Sequence, residues 1–244
     1  MRPGWPDDSS DSEPEWDFKN SLFYGYKPDN DDIINQCFEY DWAQCKIPRI
    51  IKNEEELLKV RNYLKSIYKP IREVYKYYAG VSPCANVPCI GQNAFNEIIN
   101  QTTIVDNFKI KLSDVDTEFI ATKSGKKGVY LNPERWLVRY QVMEIFVRIA
   151  LQKYIRRHKD VKGAVKLTES EAVIKLFQEE LIDNFRKHNC HIWREEYLWC
   201  QEVDESFKNL LDEVKSLFHK YSGKYSKPGK ARFCSLSEFI LMIS

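Results

Sequence analysis

Residues 135–157 read RWLVRYQVMEIFVRIALQKYIRR, and this stretch decides the fold. Its apolar residues run from Trp136, Leu137 and Tyr140 through Val142, Met143, Ile145, Phe146, Val147, Ile149, Ala150 and Leu151 to Tyr154 and Ile155, too many for one face. A helix that is apolar nearly all round is a buried helix. Asn132 is placed to cap it, and Pro133 suits a first helical position, where no N–H is needed. At about 1.5 Å per residue the helix spans roughly 35 Å. Arg139, Glu144 and Arg148 interrupt it, and charges at bilayer depth are costly, so it is not a membrane span. Other helices must cover it. The expected fold is all-α, with helix–loop–helix pairs packed around a buried central helix.

Those covering helices are legible on both sides. Asn53 and Glu56 mark a helix start. Leu57, Val60, Leu64, Ile67, Ile71, Val74 and Tyr78 then step by three and four as far as Gly80, with Pro70 expected to kink or split the run. A short helix is expected near 94–100 and another over 113–122. Thr168 and Glu171 form a capping box ahead of Val173, Leu176, Phe177, Leu181 and Phe185. Residues 189–221 read as helical, and Gly223 stops them. Ser235 and Glu238 open a last short helix.

The 244-residue chain has 43% apolar and 14% aromatic residues, enough for a packed core. Its net charge of +1 hides an asymmetry: residues 1–45 hold eleven acids and three bases. Such a split marks an interaction tail. Residues 1–48 read as an acidic, aromatic, extended arm, followed by helical subdomains over 49–160 and 161–244. Within the arm, Asp29 or Asn30 can cap a short helix through Cys37. Trp5, Trp16, Phe23, Tyr24, Tyr26 and Trp42 are its anchors, either onto the chain's own basic part or onto a partner. Removing the arm is expected to leave residues 54–244 largely helical. The polar N-terminus has no signal run, and the seven cysteines lack regular spacing, so a cytoplasmic protein without a disulfide framework is expected.

Three segments share one grammar: a helix ending in aromatics, a loop, a lone apolar residue, and a second helix. In SLFHKYSGKYSKPGKARFCSLSEFILMI the apolar place is Cys234, followed by Ser235, Glu238 and Phe239. In IREVYKYYAGVSPCANVPCIGQNAFNEII it is Ile90, and in DTEFIATKSGKKGVYLNPERWLVRYQVMEIFVRIA it is Leu137. The pattern resembles the EF-hand superfamily in degenerate form, of the kind found in ciliary and axonemal structural proteins. A calcium loop needs oxygen ligands at its first, third and fifth positions and a bidentate acid at its twelfth. Around Ile90 those places hold Pro83, Ala85, Val87 and Ala94. Around Leu137 they hold Tyr130, Asn132, Glu134 and Gln141. Counting back from Glu238 gives Lys227, Gly229 and Ala231. None of these sets builds a hard-cation cage.

Other chemistry is thin. His188, Cys190, His191 and Cys200 are the one soft-ligand cluster, without the paired knuckles zinc sites use. No nucleophile elbow and no phosphate loop occurs. The acid pairs Glu179/Glu180 and Glu195/Glu196 read as solvated faces. Residues 151–159, LQKYIRRHK, resemble the first half of an IQ motif, so Lys153, Arg156 and Arg157 are candidate contacts for a calmodulin-type partner or an acidic protein surface. No nucleic-acid recognition motif appears. The expectation is a non-catalytic scaffold without metal or cofactor, axonemal or otherwise microtubule-associated, whose partners are proteins of a cytoskeletal assembly, tubulin among them. The alternative is a calcium-sensing or calmodulin-type adaptor.

Overall fold

The computed structural model describes residues 15–27, 29–81, 87–107, 109–124, 132–158, 166–227, 229 and 232–243. Trp5 and the loop positions Pro83, Ala85, Tyr130 and Ala231 lie outside the described residues. The protein is mostly helical, and it divides into two compact units, residues 28–190 and residues 1–27 with 191–244. The boundaries expected after residues 48 and 160 both fall inside the larger unit. Among the described residues no helix is long and apolar enough to cross a membrane.

The larger unit opens with α1, Asp31–Gln44, capped where Asn30 Oδ1 accepts the Ile33 N–H at 2.9 Å. The helix does not stop at Cys37, so much of the expected extended arm is helical. Its last turns carry an inner face that needs burial. Phe38 is fully buried and meets the Tyr68 ring edge-on at 5.4 Å, with Trp42 stacked on its other side at 5.9 Å. Asp41 is buried and accepts from Tyr68 Oη at 2.5 Å and from Arg139 Nε at 2.6 Å and Nη2 at 3.0 Å. Burial disfavours charge on Arg139, but the Asp41 carboxylate outweighs it and holds the guanidinium pKa above its ordinary value. Removing residues 1–48 would leave Arg139 without this partner, so the residues from 54 onward do not pack independently of α1.

A short α2, Ile47–Ile50, leads to α3, Glu54–Ser66, where Asn53 Oδ1 accepts the Glu56 N–H at 3.1 Å. The heptad-like run expected over 57–78 breaks at Ile67. Pro70 has no N–H for the Ser66 carbonyl, and its ring opposes the preceding turn. The run resumes as α4, Tyr68–Val81. Then come β1, Ile90–Gly91, α5, Gln92–Asn100, α6, Leu112–Lys123, β2, Trp136–Leu137, and α7, Arg139–Tyr154. Helix α7 starts later than Asn132 and Pro133 suggest, because Trp136 and Leu137 are drawn into β2. From Gln141 to Tyr154 only Arg148 and Gln152 escape full burial. Phe146 sits among Phe95, Phe177 and Phe185, with ring centroids at 5.6, 5.9 and 5.4 Å. Helices α1, α4 and α6, and the helix over Glu169–Leu176, all pack against α7.

Helix α8, Glu169–Leu176, opens on the expected capping box: Thr168 Oγ1 accepts the Glu171 N–H at 3.3 Å, and Glu171 Oε2 accepts the Thr168 N–H at 2.8 Å. It continues through a π-helical turn, Phe177–Leu181, into α9, Ile182–Arg186. Val173, Leu176, Phe177, Leu181 and Phe185 are all buried. Glu56 Oε2 accepts the Ser170 N–H at 2.8 Å and so ties α3 to the first turn of α8.

The smaller unit holds two 3₁₀ turns, Phe18–Asn20 and Leu22–Gly25, and the C-terminal helices. The run expected to be helical over 189–221 is segmented. It comprises α10, Cys190–Trp193, a π-helical turn, Arg194–Leu198, α11, Gln201–Asn209, and α12, Leu211–Tyr221. The last helix, α13, spans Leu236–Ile243. Gly223 follows α12 at φ +94°, a conformation that favours glycine, and its N–H donates to the Phe233 carbonyl at 3.1 Å.

Phe146→Ala should destabilise by about 3–5 kcal/mol, read by chemical denaturation, because it empties an aromatic-lined site. Glu56 is held down to about 2 by the Ser170 backbone hydrogen bond, below the ordinary carboxylate value of 4.5. Its stabilisation is therefore complete above that ordinary value and is lost as pH falls toward about 2. Glu56→Gln should lower the melting temperature at pH 6, and the gap to the parent should close by pH 2.

Candidate protein-interaction site

Two helix–loop–helix elements of the larger unit, α4 with α5 and α6 with α7, meet through their loops. Strands β1 and β2 pair antiparallel, with Ile90 opposite Leu137 and Gly91 opposite Trp136. Ile90 and Leu137 are both fully buried. They hold the lone apolar place in their respective segments, so the two loops join at the same position of a shared pattern.

Two of the residues at the places a calcium loop would give to ligands, Asn132 and Gln141, accept from protein donors. Asn132 Oδ1 accepts from Lys123 Nζ at 2.5 Å and from Gln141 Nε2 at 3.2 Å. Gln141 Oε1 accepts from Lys123 Nζ at 3.1 Å and from the Val138 N–H at 3.1 Å. Ala94 is buried in α5. Burial, with repulsion from Lys46, lowers Lys123 to about 8. Lys46 Nζ itself donates to the Thr122 carbonyl at 3.0 Å and to the Ser124 carbonyl, where the last carbonyls of α6 attract a cation. A cavity of about 480 Å³ opens beside Lys123, lined also by Gln92, Phe119, Ile120, Ser124, Glu134 and Arg135.

In the smaller unit the aromatic anchors expected in the arm are gathered around α11. Trp16 Nε1 donates to Asp204 Oδ2 at 3.1 Å, and the Leu22 N–H donates to Asp204 Oδ1 at 2.8 Å. Lys208 Nζ lies 2.7 Å from the same carboxylate. Burial would raise the Asp204 pKa, but these donors hold it below the usual carboxylate range. Phe18 and Tyr26 contact Trp199 at 4.9 and 5.4 Å, Phe23 meets Phe207 edge-on at 6.1 Å, and the Arg194 guanidinium sits 4.8 Å over the Tyr26 ring. Trp16 and Phe23 are thus half-buried within the unit, whereas Tyr24 and Tyr26 stay exposed. Trp42 belongs instead to the larger unit, half-buried beside Phe38.

Helices α12 and α13 form a third helix–loop–helix. Glu238 accepts the Lys224 N–H and the Ser235 N–H, each at 2.7 Å. Apolar side chains nevertheless face outward: Leu210, Val214 and Leu217 on one side of the loop, and Leu236, Phe239, Ile240 and Ile243 on the other. Exposed apolar side chains repeated at helical spacing, as at Leu236, Phe239, Ile240 and Ile243, mark an interaction face.

The basic end of α7 is arranged differently from the sequence expectation. The Lys153 side chain is 4% exposed, and its ammonium pairs with Glu180 Oε1 at 2.6 Å and donates to the Ile104 carbonyl at 2.9 Å. Glu180 also accepts from Tyr154 Oη at 3.2 Å and from Thr103 Oγ1. It is therefore not on a solvated face, although Glu179 is exposed beside Lys175. Glu180 lies four residues after the buried Leu176 and three after Phe177, on the inner side of the helix, and Glu179 points away from it. Arg156 pairs with Glu118 at 2.9 Å and Arg157 with Asp114 at 2.5 Å, and both remain exposed. Leu151 and Tyr154 of the IQ-like segment are buried, so a partner wrapping that helix would have to displace them. His188 lies against Tyr77 and Tyr78, at 4.5 and 5.1 Å between ring centroids. Among the described residues no group of three or more His, Cys, Asp and Glu side chains is placed to hold a metal ion.

Asp41 and Asp204 organise the two units, yet neither is conspicuous in the sequence. Asp204 finds two of its donors 182 and 188 residues away, and its i,i+4 pair with Lys208 is common on exposed helix faces, so local spacing does not announce its role. Asp204→Ala should leave the Trp16 indole N–H and the Leu22 N–H without their acceptor. Loss of such buried bonds costs about 1–3 kcal/mol each, so proteolysis at Lys19 and Lys27 should quicken by roughly tenfold or more with little change in helical circular dichroism.

Comparison of the chain with models of protein families, with curated proteins and with solved structures finds no match.

Proposed function

We propose that the chain is a non-catalytic interaction protein, built on a pair of EF-hand-like helix–loop–helix elements that work without calcium. The observation that carries this reading is the Ile90–Leu137 pairing. The sequence pattern assigns both residues to one loop position, and an antiparallel bridge joining like position to like position is what a local two-fold pair of such elements requires. Helices α4 to α7 supply the four flanking helices in the right order. The residues at the ligand places argue for calcium independence, since Gln141 and Ala94 stand where a bidentate acid is needed.

Interaction, rather than chemistry, is supported by what the smaller unit displays. Its third helix–loop–helix exposes Leu217, Phe239, Ile240 and Ile243, while its polar backbone ends are satisfied by Glu238 and Ser235. Folded helices with outward apolar side chains fit a permanent partner better than free solvent. We place that partner in a stable cytoskeletal assembly, with the microtubule wall and its associated axonemal proteins as the first candidates. The microtubule surface is acidic, and Arg156, Arg157 and the loop after α12 offer basic groups. This choice of assembly is an analogy from fold.

Co-pelleting with stabilised microtubules tests the proposal. The full chain should pellet equally with calcium and with chelator. The double variant Phe239→Asp/Ile240→Asp should keep the parent's melting temperature, since both side chains are exposed, and should pellet at least tenfold less, as loss of a central apolar contact of about 2 kcal/mol implies. Calcium-dependent pelleting would instead favour a sensor. No pelleting under either condition would remove the microtubule as the partner.

A further inference from the structure

The cation of the second helix–loop–helix is supplied by the chain itself. Lys123 is the last residue of α6, the entering helix of that element. Its ammonium lies 2.5 Å from Asn132 Oδ1 and 3.1 Å from Gln141 Oε1. Counted from Leu137, these two residues fill the third and twelfth loop positions, one early in the loop and one in the exit helix. In a calcium loop those positions close on the metal and so fix the exit helix to the loop. Here both present amide oxygens, and both converge on one ammonium. Gln141 is buried, and its other contacts, to Asn132 and to the Val138 N–H, turn its carbonyl oxygen toward Lys123.

We propose that Lys123 Nζ is the resident cation of this element, holding β2 and α7 in register with α6 in the place where a metal ion would otherwise join loop to exit helix. The proposal rests on the EF-hand-like reading of α6 and α7 and adds to it a mechanism: the pair is fixed in one metal-independent state by an internal charge. The oxygen set suits a compact monocation. Two neutral amides cannot offset the double charge of a calcium ion, whereas an ammonium with three donors is satisfied by them together with solvent. Although burial and Lys46 lower its pKa to about 8, the amine still carries its proton at neutral pH. The cavity alongside Lys123 gives a small amine access to the same place once the side chain is shortened.

The test uses the full chain with Lys123→Met, Lys123→Ala and Lys123→Arg, read by melting temperature and by amide hydrogen exchange at Ile90 and Leu137. Lys123→Met keeps the stem and removes the charge. It should lower the melting temperature by roughly 3–8 °C, the loss expected for charge-assisted hydrogen bonds in a chain of this size, and quicken exchange at the bridge. Lys123→Ala should lose as much, and propylammonium at millimolar concentration should restore most of it, while propanol should not. Lys123→Arg should stay closer to the parent than Lys123→Met. Parent-like melting and exchange in Lys123→Met, or rescue of Lys123→Ala by propanol as complete as by propylammonium, would overturn the proposal and leave the paired elements standing. Unprotected amides at Ile90 and Leu137 in the parent chain would overturn the paired elements themselves, and this proposal with them.

Discussion

A helix buried on every side cannot carry polar residues unless its neighbours satisfy them, and α7 carries several. Each one fixes a different neighbour. Gln141 takes the Lys123 ammonium from α6. Glu144, fully buried, accepts the Lys46 N–H at 2.8 Å and pairs with Arg148 at 3.0 Å. Lys153 reaches Glu180 in the π-helical turn after α8, and Arg139 reaches Asp41 in α1. Leaving any of these groups unpaired would cost several kcal/mol, far more than a surface ion pair contributes. Apolar burial draws the surrounding helices onto α7, and these bonds set the register in which they pack.

The two units use the same physical device at different scales. In each, a buried aspartate gathers donors that are distant in sequence and thereby holds aromatic side chains in place. Asp41 holds Tyr68 beside Phe38, and Asp204 holds the Trp16 indole and the Leu22 N–H. Aromatic area supplies the stabilisation, and the charge-assisted bonds give it direction. The larger unit buries its apolar residues thoroughly, whereas the smaller one leaves many on display.

Much of this architecture was legible from the sequence. Asn53, Thr168 and Ser235 announce helix starts that the structure contains, and Pro70 announces the break near Ile67. The apolar circumference between Gln141 and Tyr154 announces burial. Three features were not legible, each for a physical reason. Helix α1 runs past Cys37 because Phe38 and Asp41 have partners in α4 and α7, which local propensity does not register. Helix α7 begins at Arg139 because pairing with Ile90 competes for the preceding residues. Glu180 turns inward, three residues after the buried Phe177, because Lys153 and Tyr154 of α7 offer it partners there, which spacing along one helix does not register. In the candidate site, the apolar loop positions were readable, but the inward turn of Asn132 and Gln141 onto Lys123 was not, since spacing says nothing about which donor an amide will find.

The placement of residues 15–27 with 191–243 has a consequence for biosynthesis. The hydrogen bond between Trp16 and Asp204 spans 188 residues. At about 5–20 residues per second of translation, the aromatic segment waits roughly 10–40 s after emerging before its partner helix exists. In that interval residues 28–190, contiguous in sequence, can complete their own unit. The earlier-made segment thus docks later than the unit that follows it in sequence, and a ribosome that stalls before Asp204 would leave Trp16, Phe18 and Phe23 open to chaperones while residues 28–190 have already folded.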